Sequence, residues 1–222
     1  MERKIITTGD GSSSIQLTEW DEQYHSKHGA INEAVHVYIK TGLVHFIETN
    51  PSVHPVSVLE IGFGTGLNAF LTLLESNYRK VPIHYTGVEA YPLSELEIKS
   101  VNYAEMLETS SVPFLKMHET PWETKAEISS TFQLEKRKQL FEDITDQEVY
   151  DVIYYDAFGS RVQPELWEEP IFKIMYAALK KGGVLVTYAA KGSARRAMES
   201  CGFKVERLPG PPAKREMLRA IK

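Results

Sequence analysis

The chain has 222 residues, 42% of them apolar and 25% charged, with a net charge of −5, which suffices for one full core and argues against a general nucleic-acid binder. A single cysteine, Cys201, excludes an internal disulfide, disfavours a cysteine-rich zinc site and points to a reducing compartment; it reads as a small half-buried residue. Met1-Glu2-Arg3-Lys4 does not lead into an apolar signal segment, and no apolar run approaches the roughly 18 residues of a membrane span, so a cytoplasmic protein with no membrane partner is expected.

Residues 4–18 read as two short strands around the turn-rich Gly9-Asp10-Gly11-Ser12-Ser13-Ser14, a β-hairpin. Apolar residues at Ala30, Ile31, Ala34, Val35, Tyr38, Ile39, Leu43 and Phe46 have a helical period. The expected domain division is therefore an N-terminal appendage over residues 1–50, hairpin plus helix, and a core over residues 51–222. His28, Glu33 and His36 lack the i, i+4 histidine pair by which a helix binds zinc, so surface or capping roles are expected and no metal site.

After the linker at residues 51–55, the run Val56-Ser57-Val58-Leu59-Glu60-Ile61 reads as a strand. It breaks into Gly62, Gly64 and Gly66, and residues 69–74 read as a helix. Alternate glycines let a ligand lie against the main chain, and the helix start offers unpaired N–H groups. A purely structural βα turn is the competing reading. The dinucleotide spacing G-x-G-x-x-G is not met, because Leu67 stands where the third glycine belongs. The next strand, residues 83–89, ends at Glu89 about 20 positions on, where a carboxylate can accept from both hydroxyls of a ribose. The Gly turn and the distal acid together point to a nucleoside-bearing cofactor.

Residues 94–107 read as one helix and residues 132–135 as a strand. Residues 150–156 form a sharper strand that ends at Asp156 and leads to Phe158. Ligands bind outside the carboxyl ends of such strands, so both residues should face the cofactor's reactive end; a loop or helix-capping aspartate is the alternative. A helix over 166–180, stopped by Lys181-Gly182-Gly183, a strand over 184–188 and a helix over 193–200 follow. Strands at 202–207 and 214–220, joined through Pro209-Gly210-Pro211-Pro212, close the chain as a hairpin. From Lys191 to Lys222, nine basic residues stand against three acidic ones. This is either a phosphate-contacting face or a solvated surface. As a phosphate face, Arg195, Arg196, Lys214 and Arg215 should border the cofactor cleft.

Glu60-Ile61-Gly62-Phe63-Gly64-Thr65-Gly66 resembles the first motif of class I S-adenosylmethionine methyltransferases. Over most of its length the chain resembles the methyltransferase domain of the MnmC type. The resemblance rests on Gly9-Asp10-Gly11-Ser12, on Tyr24-His25-Ser26 with Gly29-Ala30 and Glu33, on residues 60–68, on Asp156-Ala157-Phe158 leading to Gln163-Pro164-Glu165-Leu166-Trp167, and on Lys214-Arg215-Glu216-Met217-Leu218. It implies an α/β Rossmann-like class I fold, a mostly parallel doubly wound sheet with a C-terminal antiparallel hairpin. S-adenosyl-L-methionine is the implied cofactor, with contacts at Tyr24, Glu60, Gly62, Gly64, Thr65, Gly66, Asn68, Glu89, Gln139 and Asp156. The implied reaction converts 5-aminomethyl(-2-thio)uridine at the tRNA wobble position to its 5-methylaminomethyl form. The implied partner is the tRNA anticodon arm. Asp156 would orient the amine or accept its proton, and Phe158 would stack on the flipped base or wall the methyl pocket.

Two departures stand out. The family continues its Asp-Ala-Phe motif with Ala-Pro, where this chain has Gly159-Ser160-Arg161. The family also carries an acid near the adenine in the segment that here reads Arg137-Lys138-Gln139-Leu140, so Gln139 is expected to replace it. No second nucleotide fingerprint is present, and a monofunctional methyl-transfer half with a separate oxidoreductase partner is expected. The rival functions are methyl or aminopropyl transfer to a small amine, and a non-catalytic cofactor-sensing or RNA-binding module, which intact Glu60, Glu89 and Asp156 count against.

Overall fold

The computed structural model describes residues 2–222. Its first part is a small antiparallel sheet of β1 (Arg3–Thr7), β2 (Ser13–Leu17) and β3 (Glu22–Gln23) in the order β1-β2-β3. One helical rod follows: α1 (Ala30–Ala34), a π-helical stretch Val35–Val44, and α2 (His45–Thr49). The apolar period is that of a helix, but ten residues of it are wound wider than an α-helix, a form that concentrates at functional sites. Thr41 Oγ1 donates to the His36 carbonyl at 2.8 Å within this stretch. A Cβ on Gly42 would lie 2.8 Å from Val186 Cγ2, so glycine lets the rod sit directly on the sheet.

The main sheet is built from β4 (Val56–Ile61), β5 (Ile83–Val88), β6 (Lys125–Ser129), β7 (Phe132–Arg137), β8 (Tyr150–Tyr155), β9 (Leu179–Thr187), β10 (Lys204–Pro209) and β11 (Glu216–Ile221), in the order β10-β11-β9-β8-β4-β5-β7-β6. Strands β7, β5, β4, β8 and β9 are parallel; β6 is antiparallel to β7 and β11 is antiparallel to both its neighbours. The expected closing hairpin is present, with its second strand inserted between β9 and β10.

Adjacent residues of the central strands bury opposite faces, as buried parallel strands require. Val58, Tyr85, Tyr154 and Val186 pack with the π-helical rod and α3 (Leu67–Arg79). Leu59, Ile153, Tyr155 and Leu185 pack on the other face with α7 (Glu169–Ala178) and α8 (Gly192–Ser200). Among the described residues no helix is long and apolar enough to cross a membrane.

Two expectations are corrected. Residues 94–107 are not one helix but α4 (Glu95–Lys99) and α5 (Tyr103–Met106). Asn102 between them is diverted to the N-terminal sheet, accepting from Ser13 N at 2.7 Å and donating to the Gly11 carbonyl at 3.0 Å. α6 (Val112–Glu119) and β6 follow, neither of them expected. Gly182-Gly183 does not stop α7, which ends at Ala178; it lies within β9, where Lys180 Nζ reaches Asp151 at 3.0 Å and the pairing with β8 shifts register.

The glycine turn depends on a close approach behind it. A Cβ on Gly87 of β5 would stand 2.3 Å from Phe63 Cδ2, the residue between the first two turn glycines. Gly87→Ala should therefore cost about 1–3 kcal/mol through overpacking. Urea unfolding checks this, and an unchanged midpoint would show that the turn adapts.

Candidate functional site

A cavity of about 290 Å³ opens at the carboxyl ends of β4, β5 and β8. That is the size range and the place of ligand sites in doubly wound folds. Its wall is made by the glycine turn, by residues 89–91, 140–142 and 156–158, by Gln163, Glu165 and Leu166, and by Trp20, Tyr24 and His25 from the N-terminal segment.

The turn forms because β4 ends against β5: the N–H groups of Gly62 and Phe63 both donate to the Val88 carbonyl at 3.0 Å. Gly62 has a φ of 91°, and a Cβ there would stand 2.8 Å from the Asp156 carbonyl, so only glycine brings β4 and β8 this close. Glu89 ties the next strand to the turn, its carboxylate accepting from Gly64 N at 3.0 Å and from Tyr91 N at 2.9 Å. Lone pairs remain for further donors.

Behind the turn, His118 Nε2 lies 3.1 Å from the Thr65 carbonyl. Burial and the nearby Lys136 pull its pKa down to about 4, so the ring is neutral and donates from Nε2. Lys136, buried with its Nζ donating to the His118 carbonyl at 2.7 Å and lying 5.0 Å from the Trp122 ring centroid, is lowered by burial to about 8.

Glu60 and Asn68 face the cavity with unmet demands. Glu60 is buried, burial holds its carboxyl well above the usual carboxylate range against the opposing pull of Tyr85 and Asn68, and no hydrogen bond of ordinary geometry reaches its Oε2. Asn68 Oδ1 also has none. Buried polar atoms left unpaired cost stability and call for a ligand.

Asp156, at the tip of β8, accepts from Tyr38 Oη at 2.6 Å through Oδ1 and from Asn68 Nδ2 at 2.8 Å through Oδ2. Burial raises its pKa to about 7; the two hydrogen bonds and Lys214 pull it down, and Glu33 pushes it further up. Phe158 meets the Tyr24 ring edge-to-face at 5.1 Å and the Trp20 ring at 6.0 Å. A second cavity, of about 260 Å³, shares Tyr24, His25 and residues 156–158 with the first; Glu33, Tyr188 and Lys214 lie in its wall. Asp156 thus stands at the joint of two hollows. His25 is neutral there, burial lowering its pKa to about 4.

Of the residues singled out from sequence, Tyr24, Glu60, Gly62, Gly64, Thr65, Asn68, Glu89, Asp156 and Phe158 line the first cavity. Gly66 lies beneath it, where a Cβ would meet His118 Nε2 at 2.8 Å. Gln139 lies outside the wall. Arg137 pairs with Asp146 at 2.8 Å, and Leu140, Phe141 and Glu142 line the cavity instead.

The basic candidates divide. Lys214 and Arg215, expected at the cofactor cleft, do not line the first cavity; they border a third hollow with Arg161 and Lys191, and this hollow shares Tyr188 and Lys214 with the wall of the second. Arg195 and Arg196 line none of the three hollows, contrary to expectation. They ride on α8, whose buried residues pack on the far face of the sheet, and Arg195 is paired with Glu199 at 2.7 Å.

Among the described residues no group of three or more His, Cys, Asp and Glu side chains is placed to hold a metal ion. His36 Nε2 lies 2.8 Å from the Pro209 carbonyl, but Glu33 is neither surface nor cap: it is buried and paired with Lys214 at 2.5 Å. Sequence reasoning missed Tyr38, Glu33 and Glu142 as site residues. Tyr38 counted as one more apolar position of a helix, and a polar tip on a buried aromatic was the signal available.

Comparison with known proteins agrees with this geometry. A family described as S-adenosyl-L-methionine-dependent methyltransferase matches residues 105–222. The chain is 30% identical over 210 residues to the tRNA 5-methylaminomethyl-2-thiouridine biosynthesis bifunctional protein MnmC of Leptospira borgpetersenii, covering 90% of this chain and 32% of that protein. It is 26% identical over 231 residues to the MnmC of Idiomarina loihiensis, covering 94% and 38%. The chain thus spans about a third of the length of these curated relatives. The crystal structure of MnmC2 from Aquifex aeolicus superposes with a TM-score of 0.78 at 25% identity, over 99% of this chain and 70% of that one. Spermidine synthase from Thermotoga maritima, at 16% identity over 99% and 68% of the two chains and a TM-score of 0.62, shares the fold. The chain belongs to the S-adenosyl-L-methionine-dependent methyltransferases, with S-adenosyl-L-methionine as its cofactor.

Proposed function

We propose that the protein transfers the methyl group of S-adenosyl-L-methionine to the primary amine of 5-aminomethyl(-2-thio)uridine at the wobble position of tRNA, in the cytoplasm. The reading draws on the relatives named for 5-methylaminomethyl-2-thiouridine biosynthesis. The observation that carries it is Asp156, a carboxyl poised near neutrality between a nucleoside-sized hollow and a carboxylate-lined one. An oxidoreductase activity on the same wobble side chain is the implied partner, as the word bifunctional in the relatives' names suggests.

The residues present fit the cofactor. Glu89, anchored by two amides, keeps lone pairs for ribose hydroxyls; Glu60 Oε2 and Asn68 Oδ1 offer unmet acceptors at the end that would take an ammonium. Leu140 and Phe141 offer apolar surface for a base, and Glu142 an acceptor for its amino group. When bound, the cofactor supplies a sulfonium methyl. Asp156 then orients the acceptor amine and accepts its proton, since an alkylammonium has no lone pair with which to attack. Phe158, braced by Trp20 and Tyr24, walls the passage between the hollows. Arg161, Lys191 and Arg215 give the mouth of the acceptor side a basic rim for phosphates, while the acidic body limits non-specific binding.

The direct test is methylation of hypomodified tRNA with labelled cofactor, against a free diamine as alternative acceptor. The carboxylates of the second cavity would favour the diamine if small amines were the substrate. Three outcomes follow from the geometry. Glu89→Ala should raise the cofactor Kd about tenfold or more, as the loss of charged hydrogen bonds requires, and an unchanged Kd in calorimetry would dismiss the ribose role. Asp156→Asn should lower kcat by about 10²-fold with little change in cofactor Kd; because burial raises its pKa to about 7, the wild-type rate should climb with pH through that value as the carboxylate forms. Equal losses in binding and rate would make Asp156 a cofactor contact. Lys191→Glu with Arg215→Glu should weaken tRNA binding and flatten its salt dependence by about one log unit per residue while leaving cofactor affinity intact. An unaltered salt slope would move the tRNA elsewhere.

A further inference from the structure

The second cavity holds an ion pair that the reaction above does not use. Glu33, 8% exposed, accepts from Ser26 N at 3.1 Å and from Lys214 Nζ at 2.5 Å. The Lys214 ammonium also lies 4.1 Å from the centroid of the Tyr188 ring, over its face. The partners come from α1 and from the loop before β11, 181 residues apart. Enclosing such a pair costs desolvation that apolar side chains would avoid, so its presence asks for a use.

The chemistry of the acceptor supplies one. A primary alkylamine carries a proton at neutral pH, with an ordinary pKa near that of lysine at about 10, and must lose it to attack. A pocket offering Asp156 and a free Glu33 would hold the ammonium and oppose catalysis. A cation already on Glu33 reverses this, as a neighbouring charge activates lysine nucleophiles elsewhere.

We propose that Lys214, clamped between Glu33 and the face of Tyr188, is the residue that makes the acceptor give up its proton: one built-in ammonium disfavours a second beside Asp156. An N–H bond of the incoming ammonium breaks, the proton passes to an Asp156 oxygen and on to solvent, and the electron pair stays on nitrogen to form the new N–C bond. As the methyl leaves sulfur, the C–S pair remains on sulfur and the amine becomes a dialkylammonium. This rests on the amine-acceptor reading above. Glu22, Lys27 and His28 face the same hollow, with Glu22 paired to Arg161 at 3.2 Å; neutral His25, the hydroxyls of Tyr38 and Tyr188, and on the cofactor side the buried carboxyl of Glu60 complete the surroundings of Asp156.

The test compares Lys214→Met with Glu33→Gln, two substitutions that break one ion pair from opposite sides. A merely structural pair would make them act alike; the proposal makes them act oppositely. Two readouts are taken: the acidic limb of the kcat–pH profile on tRNA, which belongs to the amine and Asp156 jointly, and the titration of the Asp156 carboxyl by carbon-13 NMR in protein free of cofactor and tRNA. Lys214→Met should move both midpoints up by about one pH unit, with a roughly tenfold loss of kcat on the acid side that vanishes at alkaline pH. Glu33→Gln should move both down, and Lys214→Arg, which keeps the charge, should restore the wild-type midpoint. Midpoints that stay put in folded variants, or move the same way in both, overturn the proposal. If the NMR midpoints move as stated while the wild-type enzyme leaves tRNA unmethylated, the tRNA reading fails and the electrostatic role of Lys214 stands.

Discussion

Asp156 is held by hydrogen bonds that converge from elements remote in the chain: Tyr38 from the π-helical rod on one oxygen and Asn68 from the first turn of α3 on the other. Its own N–H donates to the Ile61 carbonyl at 3.0 Å, tying β8 to β4 at the level of the glycine turn. Rod, turn and sheet must all be in register for this carboxyl to keep two donors in a low-dielectric place. The balance between burial, which favours its neutral form, and the donors, which favour the ionised one, leaves it near neutrality. A general base working at physiological pH needs that balance more than it needs any single contact.

The glycine turn is constrained from both sides. In front, Tyr24 closes over Gly64; behind, Phe63 packs on Gly87, and His118 braces Thr65 while being braced by Lys136. Lys136 does not line the cavity itself. Its value lies in a hydrogen bond that orients the peptide next to a turn-bracing histidine, in surroundings of Phe63 and Trp122 where a cation over aromatic faces is tolerated.

What the sequence disclosed follows from how local each signal was. Strands β4, β5 and β8 are largely buried on both faces, so they read as mainly apolar runs ending in Glu60-Ile61, Glu89 and Asp156, and the fold class came with them. Between residues 94 and 149 the elements are short and set by partners outside each element: Asn102 is taken by the N-terminal sheet, and Arg137 by Asp146. No periodicity records such choices. The same applies at the site. Glu89 and Asp156 sit at strand ends and were visible, whereas Glu33 and Tyr38 act from a helix whose sequence shows an apolar face and nothing of the carboxyl or ammonium it meets. Charge density along the tail pointed to Arg195 and Arg196 as strongly as to Lys214 and Arg215, because counting charges does not say which face of the sheet a helix covers.

The position of β11 bears on the order in which the molecule can be completed. β11 lies between β9 and β10, although β10 precedes it in the chain. During synthesis β10 therefore emerges with no neighbour to pair with, and the sheet edge stays open until residues 216–221 have left the ribosome. The loop that delivers Lys214 arrives with that strand. A nascent chain can build the cofactor turn from β4, α3 and β5 early, by local contacts, but the acceptor pocket waits for a pairing that spans nearly the whole chain, from Lys214 back to Glu33. The turn beneath the cofactor and the pocket for its acceptor thus depend on contacts of very different reach along the chain.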